Sequence, residues 1–262
     1  MSRVAAGARV LALVAATVVL AASPACVQSD ARRPGSATMS PQTRAMQRDD
    51  AQNPAMLWVA DGEALWSRAA GPAGRACADC HGDARASMRG VAARHPAYDE
   101  ASRRPVDLGQ RIAACRQRHQ QAGPLAPESH ERLALEAYVA LQSRGMAVAP
   151  PADPRLDAHR ERGRALFHQR IGQLDLACAQ CHDANAGKRL GGSTIPEAHP
   201  TGYPIYRLEW QSAGSLQRRL RGCMGGVRAE VPPYDAPDLV DLALHLASRA
   251  AGMIVDAPGV RP

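Results

Sequence analysis

Two stretches of this chain carry apolar side chains at the spacing of an amphipathic helix. A period near 3.6 residues places such side chains on one face, which packs against a core. The apolar positions are Leu133, Leu135, Tyr138 and Leu141 in the stretch 129–143, and Leu239, Leu242, Leu244 and Leu246 in the stretch 237–248. The pattern therefore predicts a mainly α fold, with helices joined by long loops and little sheet.

A different apolar run lies near the N-terminus. Arg3 and Arg9 precede an apolar stretch that runs from residue 10 to residue 22, and Ser-Pro-Ala follows at 23–25. A basic start, a short apolar run and small residues at a cleavage site are typical of a secretory signal peptide. The run is too short for a comfortable membrane span. We therefore predict a cleaved signal peptide over residues 1–25 and export of the chain, with lipid modification of Cys26 as an open alternative.

The periodic spacing of apolar residues is absent between the predicted signal peptide and residue 55. This stretch is rich in Ser, Arg, Asp, Gln and Pro, and its apolar residues show no helical or strand period. Such composition favours a segment without a packed face of its own. We therefore interpret residues 26–55 as an N-terminal arm that is flexible or loosely docked.

Two five-residue motifs carry the chemistry. Cys77-Ala78-Asp79-Cys80-His81 and Cys178-Ala179-Gln180-Cys181-His182 both read Cys-x-x-Cys-His. This is the attachment motif of c-type haem, in which both thiols bond to the haem and the histidine becomes an axial ligand of the iron. The motifs therefore predict two covalently bound haems, attached through Cys77 and Cys80 and through Cys178 and Cys181, with His81 and His182 as iron ligands.

The motifs belong to an internal repeat. Gly-Glu-Ala-Leu-Trp at 62–66 ends 11 residues before Cys77, and Gly-Arg-Ala-Leu-Phe at 163–167 ends 11 residues before Cys178. Each copy continues with a His-Pro pair and with Leu-x-x-Arg-aliphatic-x-x-Cys, found at 95–96 and 108–115 in the first copy and at 199–200 and 216–223 in the second. A proline-rich linker over 149–154 separates the copies. We predict two tandem cytochrome c-like domains, 56–150 and 151–262.

Charge and aromatic content limit the classes of partner that the chain is expected to bind. The net charge is +7, Lys188 is the only lysine, and the chain has one Phe, three Trp and five Tyr. Few aromatics and no run of five like charges argue against a nucleic-acid partner. An arginine-rich surface suits an anionic substrate or an acidic protein.

Three cysteines are not needed for haem attachment. Cys26 lies at the predicted cleavage site, whereas Cys115 and Cys223 end the same motif in the two copies. They could be small buried thiols, a disulfide pair, or thiolate ligands at the sixth position of each iron. A methionine ligand is the alternative to the thiolate, and the candidates are Met88, Met146, Met224 and Met253.

Arginines surround the second of these cysteines. Arg219 precedes Cys223 by four residues, which places both on one helix face. A guanidinium there could hold an oxyanion by paired, charge-assisted hydrogen bonds while the sulfur reacts. The alternative interpretation is a solvated arginine on a helix face.

Together these motifs resemble the SoxA family, the cytochrome subunits of SoxAX thiosulfate-oxidising complexes. The resemblance covers nearly all of the chain after the signal peptide. Besides both haem motifs, it rests on Gln-Asn-Pro-Ala-Met-Leu-Trp-Val at 52–59, Cys-Arg at 115–116, Glu-Ser at 128–129, Gln-Ser-Arg-Gly-Met at 142–146, Cys-x-x-x-Val-Arg-Ala-Glu at 223–230 and Pro-Gly-Val-Arg-Pro at 258–262.

The resemblance implies a periplasmic L-cysteine S-thiosulfotransferase. Such an enzyme joins thiosulfate oxidatively to a cysteine of the SoxY subunit of the SoxYZ carrier, and electrons leave through haem to the partner cytochrome SoxX. By motif position, His81 and Cys115 would ligate the first iron, and His182 and Cys223 the second. Cys223 would also be the catalytic sulfur, and Arg219 would bind the substrate. A dihaem electron carrier without substrate chemistry and a dihaem peroxidase are the alternatives.

Overall fold

The computed structural model describes Ser2 and residues 30–262. Apart from Ser2, the predicted signal peptide lies outside the described residues, and so does Cys26. The chain divides into two compact units, Met1–Ala31 and Arg32–Pro262, and every element discussed below belongs to the second unit. None of the helices in the described part combines the length and apolar character needed to cross a bilayer.

Helices dominate the described residues, as the apolar pattern predicts. The α-helices are α1 (Pro41–Arg48), α2 (Ala55–Ser67), α3 (Cys77–His81), α4 (Ala84–Ser87), α5 (Leu108–Cys115), α6 (His130–Leu141), α7 (Asp157–His168), α8 (Cys178–His182), α9 (Leu216–Gly226) and α10 (Pro237–Arg249). The strands are short: β1 (Ala97–Asp99), β2 (Arg104–Val106), β3 (Arg189–Leu190), β4 (Ser193–Thr194), β5 (Ile205–Arg207), β6 (Ser212–Gly214) and β7 (Gly259–Arg261). The mainly α fold class is confirmed.

Each copy of the repeat is built on one helix crossing. In the first, α2 packs against α6, and in the second, α7 packs against α10. Gly62 lies at the first crossing and Gly163 at the second, and a Cβ on either would overlap a backbone carbonyl of the facing helix, Ala134 or Asp241. Glycine is therefore required because the two helix backbones approach too closely for any side chain.

A hairpin followed by a helix is also repeated. β1 pairs with β2 and β5 with β6, both antiparallel over three residues. Asp107 caps α5 by accepting from the Gln110 N–H, and Ser215 caps α9 by accepting from the Arg218 N–H. Because oxygen-bearing side chains satisfy the free N–H groups of a first turn, both helices begin at the same place in the repeat. Every residue of the unit 97–115 has its counterpart 108 positions later, in 205–223.

The two copies share contacts and a core. The segment after α10 contributes Met253 and Val255 to the cluster that contains Val59 and Trp66 of the first copy. The Val148 N–H donates to the Met253 carbonyl at 2.8 Å. Packing between the copies therefore places equivalent tails, one after α6 and one after α10, side by side. The domain boundaries 56–150 and 151–262 remain predictions within this single compact unit.

The N-terminal arm is held more firmly than its composition predicted. Residues 30–54 are not a flexible or loosely docked segment, because they contain α1 and bond to the C-terminal strand. The Gln47 side chain accepts from the Val260 N–H at 3.0 Å and donates to Asp256 at 3.1 Å. Asn53, which is buried, donates to the Pro258 carbonyl at 3.1 Å. The arm is held by polar side chains rather than an apolar face, which is why it shows no hydrophobic period.

Candidate functional site

The first Cys-x-x-Cys-His motif lies on the wall of a large cavity. The cavity has a volume of about 340 Å³, within the range of roughly 300–1,000 Å³ typical of cofactor pockets. Its walls are mostly apolar, and they include Trp66, Cys77, Cys80, His81, Met88, Leu108, Ile112, Cys115, Leu135 and Val139. Trp66 fixes the end of α3 because its indole N–H donates to the Gly82 carbonyl at 2.9 Å.

α5 brings the spare cysteine of the first copy to the same cavity. Leu108, Ile112 and Cys115 follow one helix face and all line it. Burial raises the pKa of the Cys115 thiol, although the charges of Arg111 and Arg118 oppose this. The cavity therefore contains two attachment thiols, a histidine and a further sulfur, which is the donor set that a c-type haem with a histidine and a sulfur ligand needs.

His182 in the second motif has a defined orientation. Its Nδ1 lies 2.7 Å from the Pro196 carbonyl oxygen. A carbonyl only accepts hydrogen bonds, so Nδ1 carries the proton and the lone pair is on Nε2. This tautomer is the one that binds a metal through Nε2. A cavity of about 420 Å³ next to His182 is lined by both cations and anions, namely Arg32, Arg249, His199, Asp183 and Glu197. Within it Arg249 is paired with Asp183 at 2.6 Å.

α9 carries Cys223 to His182. The thiol lies close enough to His182 for the imidazole to affect its pKa, although the residues are 41 positions apart in the chain. Burial raises the pKa of the Cys223 thiol, but His182 and the positive charges of Arg219 and Arg207 outweigh burial and lower it below the ordinary value. The equivalent thiols, Cys115 and Cys223, therefore shift in opposite directions. The environment of Cys223 favours the thiolate, the nucleophilic and metal-binding form.

Arg219 is available for an anion. It is half-buried, and within the described residues its guanidinium has no hydrogen-bond or ion-pair partner in the protein. Tyr203 lies near enough for the charge of Arg219 to oppose the effect of burial, which raises the pKa of its phenol to about 12. The site thus brings together a sulfur, a histidine, a guanidinium and a half-buried phenol.

The structure brings the predicted site residues together in two groups. Cys77, Cys80, His81 and Cys115 line one cavity, and Cys178 lies close enough to Cys223 that, after burial, the Cys223 charge helps to raise the pKa of Cys178 to about 11. Of the alternative methionines, Met88 lines the first cavity, Met224 packs against Phe167, and Met253 lies in the shared core. The choice of thiolate ligands remains a prediction.

Sequence reasoning missed Arg207 and Tyr203. Both precede the helix that carries Cys223, in a stretch where two residues, Pro204 and Tyr206, match their counterparts Pro96 and Tyr98 in the first copy. These pairs, 108 residues apart like the two spare cysteines, are the signal available for extending the repeat to the hairpins.

This fold and these sites define a c-type cytochrome: a helical protein with attachment thiols, a ligand histidine and an apolar cavity for the haem. The family "SoxA/TsdA, cytochrome c domain" matches residues 61–148. The chain belongs to the SoxA family, since it is 35% identical to the L-cysteine S-thiosulfotransferase subunit SoxA of Pseudaminobacter salicylatoxidans, over 84% of this chain and 77% of that relative.

Two further comparisons agree with this assignment. The SoxA subunit of Rhodovulum sulfidophilum is 34% identical, over 88% of this chain and 81% of the relative. The crystal structure of SoxXA from P. pantotrophus matches with a TM-score of 0.85 and 32% identity, and covers 88% of this chain and 87% of that one.

Proposed function

We propose that this chain is the catalytic cytochrome subunit of a periplasmic thiosulfate-oxidising heterodimer. Its partner is a SoxX cytochrome, and its substrates are thiosulfate and the carrier cysteine of SoxY. The proposal is supported by relatives that bear the name L-cysteine S-thiosulfotransferase subunit SoxA, and by the similar chain solved as SoxXA.

The proposed reaction joins two sulfur atoms. The terminal sulfur of thiosulfate becomes bonded to the SoxY cysteine sulfur, the thiol loses its proton, and two electrons are released. Written for the thiol, R–SH and S₂O₃²⁻ give R–S–S–SO₃⁻, one proton and two electrons. Bound haem supplies the route by which these electrons leave to SoxX.

One observation carries this proposal: Cys223 lies near His182, while Arg219, one turn earlier on α9, has an unpartnered guanidinium in the described structure. Electron transfer alone requires no free cation beside an iron ligand. A sulfur that exchanges with thiosulfate does require one, because the sulfonate end of the substrate must be held by an opposite charge.

Each side chain then has a proposed role. Cys223 holds the sulfur being transferred, and Arg219 binds the sulfonate. We propose one haem for each motif, attached through Cys77 and Cys80 in domain 56–150 and through Cys178 and Cys181 in domain 151–262. The proposed iron ligands are His81 with Cys115 and His182 with Cys223.

The test uses the heterodimer of this chain with SoxX, reduced SoxYZ, thiosulfate and ferric cytochrome c as electron acceptor. We expect mass spectrometry to find thiosulfate on the SoxY cysteine only when all four components are present. Reduction of the acceptor without the adduct would indicate an electron carrier. In a separate assay, oxidation of ferrous cytochrome c by peroxide would indicate a peroxidase. The mass of the isolated chain should exceed that of the polypeptide by the mass of two haem groups.

A further inference from the structure

The two copies differ in charge at one buried position. The hairpin and helix of the first copy, 97–115, match those of the second, 205–223, residue for residue with an offset of 108. In this register Arg111 corresponds to Arg219 and Cys115 to Cys223. Asp99, the last residue of β1, corresponds to Arg207, the last residue of β5.

In the first copy, the carboxylate of Asp99 neutralises the arginines. Asp99 is 2% exposed, and it accepts from Arg111 at 2.6 Å and from Arg118 at 2.8 and 3.0 Å. These hydrogen bonds hold the pKa of Asp99 far below its ordinary value despite its burial, and the hydrogen bond from Arg118 has the largest effect. The first copy therefore contains its own anion between two guanidinium groups.

In the second copy, a cation replaces that anion. Arg207 is 8% exposed, and its Nε donates to the backbone oxygen of Pro262 at 2.8 Å. The carboxylate paired with it at 2.7 Å, Glu209, is 65% exposed and so is well screened by solvent. Arg207 and Arg219 occupy the two positions at which Asp99 and Arg111 are in contact at 2.6 Å in the first copy. Their like charges therefore repel each other, and in agreement burial, and then the charge of Arg219, lower the pKa of Arg207.

An anion placed between two such groups would relieve this repulsion. We propose that Arg207 and Arg219 together hold the sulfonate group of thiosulfate, in the place that the Asp99 carboxylate occupies in the first copy. This inference rests on the proposed function and adds a second substrate-binding residue to it. It also explains why only one copy handles substrate: Arg111, the counterpart of Arg219, is already occupied by Asp99.

The test compares Arg207→Asp, Arg207→Gln and Arg207→Lys in the heterodimer with SoxX. R207D places a carboxylate at the position of Asp99, so this carboxylate should pair with Arg219, as Asp99 does with Arg111, and exclude the substrate. Arg68→Asp is the control, because it reverses the same charge at a side chain that is 64% exposed on the first copy. The absorption spectrum of each variant reports whether both haem sites are intact.

We expect the KM for thiosulfate to rise roughly 10-fold in R207Q and roughly 100-fold in R207D, the effect of losing a charge-assisted hydrogen bond and then of blocking the site. R207K should raise the KM less than R207Q does, because it keeps the positive charge but loses the fork of guanidinium donors. Competitive inhibition by sulfate, a tetrahedral oxyanion that does not react, should weaken in the same order. R68D should behave as wild type.

Two results would overturn the inference: an unchanged KM and unchanged sulfate inhibition in R207Q, or a fall in kcat alone. If R207D does not fold, the KM values and the sulfate inhibition of R207Q and R207K test the inference. Spectral titration of the haem with thiosulfate, without SoxYZ, measures the Kd separately from turnover. Wild-type protein that binds thiosulfate through Arg207 without conjugating it would contradict the proposed function and leave this inference standing.

Discussion

The thiol of Cys223 lies close enough to the imidazole of His182 for His182 to lower the pKa of the thiol, so the Cys-x-x-Cys-His helix α8 and the arginine-rich helix α9 are neighbours. Four residues before Cys223, Arg219 has an unpartnered guanidinium in the described part of the chain. The first copy has the same helix pair around its cavity, but there Asp99 occupies the arginine. The two copies of one repeat thus share a fold but differ in the charges near their equivalent arginines.

Removing the two spare cysteines one at a time should separate their roles. We expect Cys223→Ala to slow thiosulfate conjugation by at least about 100-fold, the typical effect of removing a group that acts on the reacting atoms. We expect Cys115→Ala to slow thiosulfate conjugation less than Cys223→Ala does. Electron paramagnetic resonance should show that each substitution alters the signal of a different haem. Equal losses of turnover in the two variants would argue against a special role for Cys223.

The glycines at the helix crossings should not tolerate a side chain. Because a Cβ at Gly62 or Gly163 would overlap a carbonyl of the facing helix, we expect Gly62→Ala and Gly163→Ala each to lower the free energy of unfolding by about 1–3 kcal/mol or more. Gly123→Ala is the matched control, since no atom lies within 4 Å of the added Cβ. Thermal unfolding followed by circular dichroism measures the difference. A Tm for G163A equal to that of G123A would show that the crossing relaxes easily.

The ion pair between Arg132 and Asp235 should be important for contact between the copies. Arg132 is buried, and it donates to both oxygens of Asp235 at 2.8 and 2.9 Å. Arg132→Ala leaves nearby carboxylates uncompensated, so we expect a loss of about 3–5 kcal/mol in urea unfolding. The exposed pair of Arg164 with Glu161 provides the control, and Arg164→Ala should cost under about 1 kcal/mol. Similar losses for both variants would contradict this prediction.

Glu136 should make the stability of the protein depend on pH. Burial, and then the charge of Asp107, raise its pKa from 4.5 to about 8, although Arg132 opposes them. Between these two values the folded protein binds a proton that the unfolded chain has released, so stability falls as pH rises from 4.5 to about 8. Glu136→Gln should remove this part of the pH dependence and should stabilise the protein most at pH 8.

Urea midpoints measured at pH 5, 6.5 and 8 test this. The difference between E136Q and wild type should grow with pH. Glu131→Gln is the control, since Glu131 is exposed on the same helix. A constant difference across the three pH values would mean that Glu136 is ionised in the folded protein throughout this range.

The sequence by itself determined the attachment motifs, the repeat and the helical fold class. These features are local: five consecutive residues define each motif, and a period of 3.6 residues gives α6 (predicted over 129–143, found as His130–Leu141) and α10 (predicted over 237–248, found as Pro237–Arg249). The four-residue spacing on α9 likewise predicted that Arg219 would accompany Cys223. Local patterns suffice here because helix geometry fixes which side chains share a face.

Only the tertiary structure decided which charges surround each sulfur. Asp99 and Arg207 lie in strands of three residues, which are too short to show a period, and β5 pairs with β7, more than 50 residues later in the chain. The arm over residues 30–54 is likewise ordered by hydrogen bonds to residues about 200 positions away. Charge effects on a thiol depend on burial and on distances between such remote segments, and neither is set by local sequence.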